Sequence, residues 1–129
     1  MPFDIFTHPG DAIIELPPIV EVIYPDNPTP EDIKAYVTQA HEVIDAQRGR
    51  PFCCLADQRA VRVMPPDLVA VLGELNKYAY AHGMLRTARL VSSTIAELQT
   101  RQLARTNDFE VEAFESRSAA LLWLREKES

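Results

Sequence analysis

The sequence predicts an α/β domain built on a mostly parallel five-stranded sheet, and three observations support that class. Residues Pro51 to Asp57 are apolar on both alternating faces, which is typical of a central strand covered on both sides. The segments around them alternate between helical and extended patterns. The 129 residues suit one domain that buries a core without a metal or a disulfide. We therefore expect a single domain over residues 1–129, in the order β-β-α-β-α-β-α-β-α.

The chain begins with a predicted hairpin. Phe3 to Thr7 is a short strand, Pro9-Gly10-Asp11 is a turn, and Ala12 to Tyr24 is a second extended segment. Pro17-Pro18 interrupts that segment, and proline donates no hydrogen bond to a neighbouring strand. The interruption therefore predicts a bulge or a sheet edge.

Beyond the prolines, the second extended segment carries apolar groups on both faces, although an edge strand needs only one apolar face. The second face could be covered by the closing helix, through Trp123 and Leu124, or by a second copy of the chain. We expect a homodimer through the surface of Leu16 to Tyr24, because exposed apolar patches usually mark interfaces. The residues predicted to lie in this interface are Ile19, Val20, Val22, Ile23 and Tyr24.

Two helices flank the central strand in the prediction. Thr29-Pro30-Glu31-Asp32 combines a capping hydroxyl, a proline at the first helical position and acids in the first turn, and Gly49 closes this helix. Pro65-Pro66-Asp67 opens the next helix after a loop, and Gly83 ends it. The apolar stripes predicted for the two helices are Ile33, Val37, Ala40 and Ile44, and Leu68, Leu72, Leu75 and Ala79.

The last third of the chain continues the alternation. Arg86 to Ser92 is a strand with one fully buried face, which indicates a position nearer an edge. Thr94 and Glu97 form a capping box for a third helix that ends at Asn107-Asp108. An edge strand follows, in which Phe109, Val111 and Ala113 alternate with glutamates, and then a helix capped by Ser116 that points Ala120, Trp123 and Leu124 inward.

Composition limits the classes of function. A net charge of −6 argues against broad nucleic-acid binding, which depends on neutralising phosphates with basic side chains. No apolar run approaches the roughly 20 residues of a membrane span, and the first residues lack a signal-peptide pattern. Cys53 and Cys54 are adjacent and point to opposite faces of a strand, so they are badly placed to form a disulfide. We expect a reduced, cytoplasmic protein.

No catalytic set, metal site or cofactor motif is visible in the sequence. His8, His41 and His82 are scattered, with no metal-ligand spacing and no neighbouring nucleophile. The cysteine pair could be reactive or metal-binding, but packing in the core is the simpler interpretation. We therefore predict no catalytic residue, no metal, no cofactor and no enzymatic activity.

Three local features and the order of elements resemble the SpoIIAA-like, STAS-type domains, including small bacterial proteins of the STAS/SEC14-like kind. The features are Thr29-Pro30-Glu31-Asp32 after a hairpin, Leu55-Ala56-Asp57 at the end of the central strand, and Ala120-Leu121-Leu122-Trp123-Leu124 in the closing helix. The resemblance implies the STAS fold and a bacterial protein-interaction or regulatory module. It also implies, as the alternative, a domain of the SEC14-like type that binds a small ligand or lipid.

One feature of that family is absent from the sequence. The phosphorylatable relatives, the anti-sigma-factor antagonists, carry an Asp-Ser pair where the helix after the central strand begins. Those places fall near Pro65 and Pro66, and no serine or threonine occurs from Gln58 to Asp67. The resemblance therefore implies partner binding that does not depend on phosphorylation here.

Two groups of residues are candidates for contacting a ligand or a partner. Asp57 ends a central parallel strand, where α/β proteins bind ligands, and Ser92-Ser93-Thr94 lie where a strand meets a helix N-terminus. Capping of backbone amides is the simpler interpretation of both. Arginines in the second half of the sheet could meet an anionic ligand or an acidic partner, or be solvated beside nearby glutamates. They are Arg59, Arg62, Arg86, Arg89, Arg101 and Arg105.

Overall fold

The computed structural model describes residues 3–11, 13–61, 64–92 and 110–126. Its five strands are β1 (Asp4–His8), β2 (Ile19–Ile23), β3 (Phe52–Asp57), β4 (Met84–Leu90) and β5 (Val111–Phe114). The helices in these ranges are α1 (Pro30–Ala46), α2 (Pro66–Ala81) and α3 (Arg117–Glu126).

The strands form one mixed sheet in the order β1-β2-β3-β4-β5. β1 pairs with β2 antiparallel, and the other three pairings are parallel. The predicted α/β class, the opening hairpin and the mostly parallel five-stranded sheet are confirmed. β3 lies in the middle of the sheet, as its two apolar faces predicted.

The signals at the start of α1 act as predicted. The backbone N–H of Asp32 donates to Oγ1 of Thr29 at 3.1 Å, and the backbone N–H of Thr29 donates to Oδ2 of Asp32 at 3.0 Å. This capping box satisfies two backbone donors that a helix start leaves free. Tyr36, which the predicted stripe omitted, is also buried on the inner side of α1.

The sheet has two faces, each packed against different helices. The helical face, which α1 and α2 cover, includes Val22, Phe52 and Ala56 packed in one apolar cluster with residues of both helices. The α3 face, which α3 covers, packs Leu55 and Leu90 against helix residues. In α3, Ala120 and Leu124 are buried, as predicted, and Trp123 is partly buried.

The prolines lie before β2 and do not place it at an edge, because β2 pairs with both β1 and β3. The predicted second extended segment is therefore shorter than expected. A backbone pairing of Asp11 with Leu16 closes a turn, in which Glu15 has a φ of 56°.

The burial of β2 overturns the predicted interface. Ile19, Val20, Val22 and Tyr24 are each at most 6% exposed, and Ile23 is partly buried. Val20 and Val22 pack under the helices and Ile19 packs on the α3 face, so this chain covers both faces of the strand itself. A lysine at Val22 is accordingly expected to unfold the protein, whereas the homodimer as such stays a prediction.

β4 also differs from its prediction. It lies beside the edge strand β5 and so nearer an edge than β3, as predicted, but both of its faces are buried, including Thr87 and Arg89. The strand begins at Met84, directly after Gly83, whose φ is 112°. A Cβ at Gly83 would lie 2.6 Å from the carbonyl oxygen of Arg50, so glycine is required where the two segments approach.

Two predicted features lie outside the described residues, namely the third helix from Thr94 to Asn107 and the Phe109 position of the last strand. The edge strand itself is present as β5, with Glu110 and Glu112 exposed.

Among the helices that the structure describes, none combines the length and apolar character needed to cross a membrane.

Candidate functional site

The carboxyl ends of β2, β3 and β4 meet at one edge of the sheet, and Asp57 lies there at the end of β3. Its carboxylate accepts two hydrogen bonds from the Arg59 side chain, 2.9 Å from Nε to Oδ1 and 2.8 Å from Nη2 to Oδ2. The backbone N–H of Arg59 donates to Oδ1 at 3.2 Å. The hydrogen bonds from the Arg59 side chain outweigh the effect of burial and lower the pKa of Asp57.

Ser92 joins this pair from the end of β4. Its hydroxyl donates to the carbonyl oxygen of Arg59 at 3.1 Å, so it tethers the loop after β3. The structure therefore brings together three of the predicted ligand or partner residues, Asp57, Arg59 and Ser92, in a capping arrangement. Two further candidates, Arg86 and Arg89, are buried in β4, and Nη1 of Arg86 donates to the Leu124 carbonyl at 3.0 Å. The remaining candidates lie outside the described residues, namely Arg62, Ser93, Thr94, Arg101 and Arg105.

A second charged group on the α3 face was not predicted. Glu21, in the middle of β2, is 3% exposed. Its Oε1 accepts hydrogen bonds from Nε2 of His8 at 2.6 Å and from Nη2 of Arg117 at 2.7 Å. Burial alone would raise the pKa of Glu21, but the hydrogen bonds from Arg117 and His8 more than offset it and lower the pKa.

These residues form one ion cluster, which we define as His8, Glu21, Asp57, Arg59 and Arg117. The positive charge of Arg117 contributes to the lowered pKa of Asp57, and the negative charge of Glu21 contributes to the raised pKa of Arg59. Two carboxylates and two guanidinium groups thus balance within the chain. Such a cluster holds structure together, and its carboxylates are poor proton donors at neutral pH.

The helical face carries a different polar group at the same edge, the donor cluster of Tyr24, Gln58 and Arg89. Each of the three residues is 3% exposed or less. Among the described residues, neither Nε of Arg89 nor Nε2 of Gln58 has a hydrogen-bond partner. An unpartnered buried donor costs about 1–3 kcal/mol, and more when it is charged.

All three residues of the donor cluster bear on the pKa of Tyr24. Burial raises this pKa, whereas the charge of Arg89 and the nearby amide of Gln58 oppose the increase. Arg89 also lowers the pKa of Tyr36 and of Cys54 against a larger effect of burial, which raises that of Cys54 to about 12. The positive charge of Arg89 thus acts on two phenols and on a thiol that burial keeps neutral.

A cavity of about 50 Å³ lies between the sheet and the two helices that cover its helical face. Tyr36 and Cys54 line it, and so does Asn76, whose Nδ2 has no hydrogen-bond partner within the described ranges. The volume is well below the roughly 150 Å³ of an engineered cavity that binds benzene. It has room for water or a very small group and none for a lipid chain.

Tyr78 brings two of the scattered histidines together on the outer surface of α1 and α2. Its ring centroid lies 4.2 Å from that of His41 and 4.0 Å from that of His82, and its hydroxyl donates to Asp45. Sequence spacing gave no signal of this contact between two helices. In the part of the chain that the structure describes, no group of three or more histidines, cysteines or acids could hold a metal ion.

The complete fold is similar to that of an uncharacterized protein of the DUF3478 family from Shewanella loihica PV-4, described as having a SpoIIAA-like fold. The TM-score is 0.70, and the match covers 95% of this chain and 94% of that one at 15% identity. The predicted SpoIIAA-like fold is thereby confirmed, and at this identity the likeness concerns the fold alone. No family model and no curated protein matches the sequence.

Proposed function

We propose that the chain is a non-enzymatic, regulatory protein-interaction module that binds through the outer edge of β1, and that one partner is a second copy of the chain. The observation that carries this proposal is the exposed side chain of Phe6, 41% accessible at the centre of an edge strand. An edge strand presents unpaired backbone groups, and natural proteins usually protect such edges with charge.

The charges of β1 favour a symmetric partner. If two β1 strands pair antiparallel about Phe6, the two phenylalanines become cross-strand neighbours, and Asp4 of one copy lies opposite His8 of the other. Ile13 and Ile14, 92% and 62% exposed in the turn of the same hairpin, add apolar surface where polar residues are usual.

Sedimentation equilibrium at micromolar concentration tests the proposal. We expect a dimer mass for the natural protein and a monomer mass for Phe6→Lys, with the fold retained because the side chain is exposed. Leu122→Lys is the matched control, since Leu122 is 59% exposed on α3, and it should leave the dimer intact. A monomer mass for the natural protein at about 100 μM would overturn the proposal.

We further propose that partner binding does not depend on phosphorylation. The support is the start of α2, where Pro65 occupies the N-cap and Pro66 the first helical position, without an acceptor hydroxyl. Intact-mass analysis after incubation with a kinase of the anti-sigma-factor type should show no added phosphate between Gln58 and Leu68. A phosphate there would contradict the proposal.

A domain that binds a small ligand is the second candidate function. The cavity beside Asn76 favours it only for ligands of small size. At about 50 Å³ this cavity excludes a lipid chain, so a ligand bound in it would have to be compact. Native mass spectrometry of freshly purified protein distinguishes the candidates, because a bound compact molecule supports the second and a co-purified lipid contradicts this restriction.

A further inference from the structure

The donor cluster has the composition of a binding site that the residues described by the structure do not complete. Tyr24 follows β2, Gln58 follows β3, and Arg89 is the penultimate residue of β4, so three adjacent parallel strands supply one group each. The backbone N–H of Tyr24 donates to the Asp57 carbonyl, and that of Gln58 donates to the Leu90 carbonyl, both at 2.9 Å. Rigid backbone therefore holds this edge, which is where ligands bind in open parallel sheets.

The two unpartnered groups are both donors. The side chains of Gln58 and Arg89 are almost fully buried, and their Nε2 and Nε atoms have no acceptor among the described residues. Buried donors are normally satisfied, and two neighbouring exceptions in one cluster call for a common explanation. A single group rich in acceptor atoms would satisfy both.

The lack of an acidic partner for Arg89 is a second reason to expect an acceptor group at this site. Within the described ranges, the acids that pair with arginine are Glu21 and Asp57, and both lie in the ion cluster on the opposite face. No carboxylate there forms an ion pair with Arg89, and its charge acts instead on phenols and a thiol. A buried cation without a counter-ion is unfavourable, so the acceptor group should be negatively charged.

We propose that Arg89, Gln58 and Tyr24 bind a compact oxyanion, a carboxylate or phosphate group, at the carboxyl edge of β2, β3 and β4. The planar guanidinium group suits oxygen pairs of this geometry, and the Gln58 amide and the Tyr24 hydroxyl supply further donors. This site is on the opposite face from the ion cluster and does not rest on the β1 edge or on dimer formation.

The test uses the full chain in a chloride buffer at constant ionic strength, titrated separately with inorganic phosphate and with acetate. Thermal unfolding should show a saturable rise of about 3–5 °C at about ten times the dissociation constant. In parallel, the ¹H–¹⁵N resonance of Arg89 Nε should shift with the same midpoint. A response to phosphate alone identifies a phosphoryl group, and a response to acetate alone identifies a carboxylate.

Variants identify the residues responsible. Arg89→Met should abolish the saturable rise in unfolding temperature, and Gln58→Met should weaken binding by about tenfold, as expected for the loss of a hydrogen bond to an anion. Arg48→Met removes the same charge from an exposed position and should leave binding unchanged. If Arg89→Met does not fold, Arg89→Lys serves instead. Lysine retains the positive charge but lacks the planar, paired N–H donors of the guanidinium group, so this variant should bind the anion at least about tenfold more weakly.

Two results would overturn the proposal. One is the absence of any saturable response to either anion in the natural protein. The other is a response in Arg89→Met or Arg89→Lys equal to that of the natural protein, which would show that the anions act elsewhere or by ionic strength alone.

Discussion

The two faces of the sheet treat buried charge in opposite ways. On the α3 face, Glu21 is buried but accepts hydrogen bonds from His8 and Arg117, and Asp57 is paired with Arg59. On the helical face, Arg89 is equally buried and its Nε has no partner in the described part of the chain. In the ion cluster each buried carboxylate is paired with a guanidinium group, which stabilises the fold, whereas the donor cluster leaves polar groups available for something that binds.

The largest expected effect comes from adding an unpaired charge to the α3 face. Leu55 is fully buried and is the register partner of Glu21 on the neighbouring strand. Leu55→Asp would place a second carboxylate beside Glu21 without a cation of its own, and we expect a loss of about 4–5 kcal/mol or failure to fold. Urea denaturation measures the change. Leu55→Met, which conserves volume, is the control and should cost less than about 1.5 kcal/mol.

A smaller loss should follow when the ion cluster is broken from its exposed side. Arg117→Met leaves Glu21 with His8 as its remaining side-chain partner. Because the Arg117 side chain is 43% exposed, the cost should be lower than for a fully buried pair, about 1–3 kcal/mol in urea denaturation. Arg48→Met at an exposed site should change stability by less than about 0.5 kcal/mol. Equal stability of the two variants would mean that Arg117 does not stabilise Glu21.

The same cluster predicts a dependence of stability on pH. The pKa values of Glu21 and Asp57 are lowered from ordinary values of 4.5 and 3.8, so the unfolded chain binds protons first as the solution is acidified. The stabilisation is therefore complete above about pH 4.5 and is lost as pH falls through the lowered values. Denaturation at a series of pH values should show this decline. Glu21→Gln should flatten it, and an unchanged slope would contradict the assignment.

The sequence was sufficient for the elements that local chemistry determines. The capping hydroxyl of Thr29, followed by Pro30 and two acids, located the start of α1, and the two-sided apolar pattern placed β3 at the centre of the sheet. Glu21 and Arg117 are 96 residues apart, so no local pattern could pair them. Polar alternation made one face of β4 look half exposed, because periodicity cannot distinguish a buried arginine from a solvated one. The position of Glu21 between two apolar residues of a strand was the one sequence feature that could have indicated the ion cluster.

The smallest expected effect has the opposite sign and concerns the helical face. Asn76 is 8% exposed and lines the cavity of about 50 Å³, and its Nδ2 has no partner among the described residues. Asn76→Leu removes an unsatisfied donor and extends apolar atoms toward open space, so it should stabilise the protein by about 1 kcal/mol. Asn27→Leu, at an exposed loop position, controls for the change of residue type and should stay within about 0.5 kcal/mol of the natural protein. Urea denaturation of both variants decides the matter. A destabilised Asn76→Leu would mean that the amide already has a partner, such as a buried water, and that no donor is left unsatisfied around this cavity of the helical face.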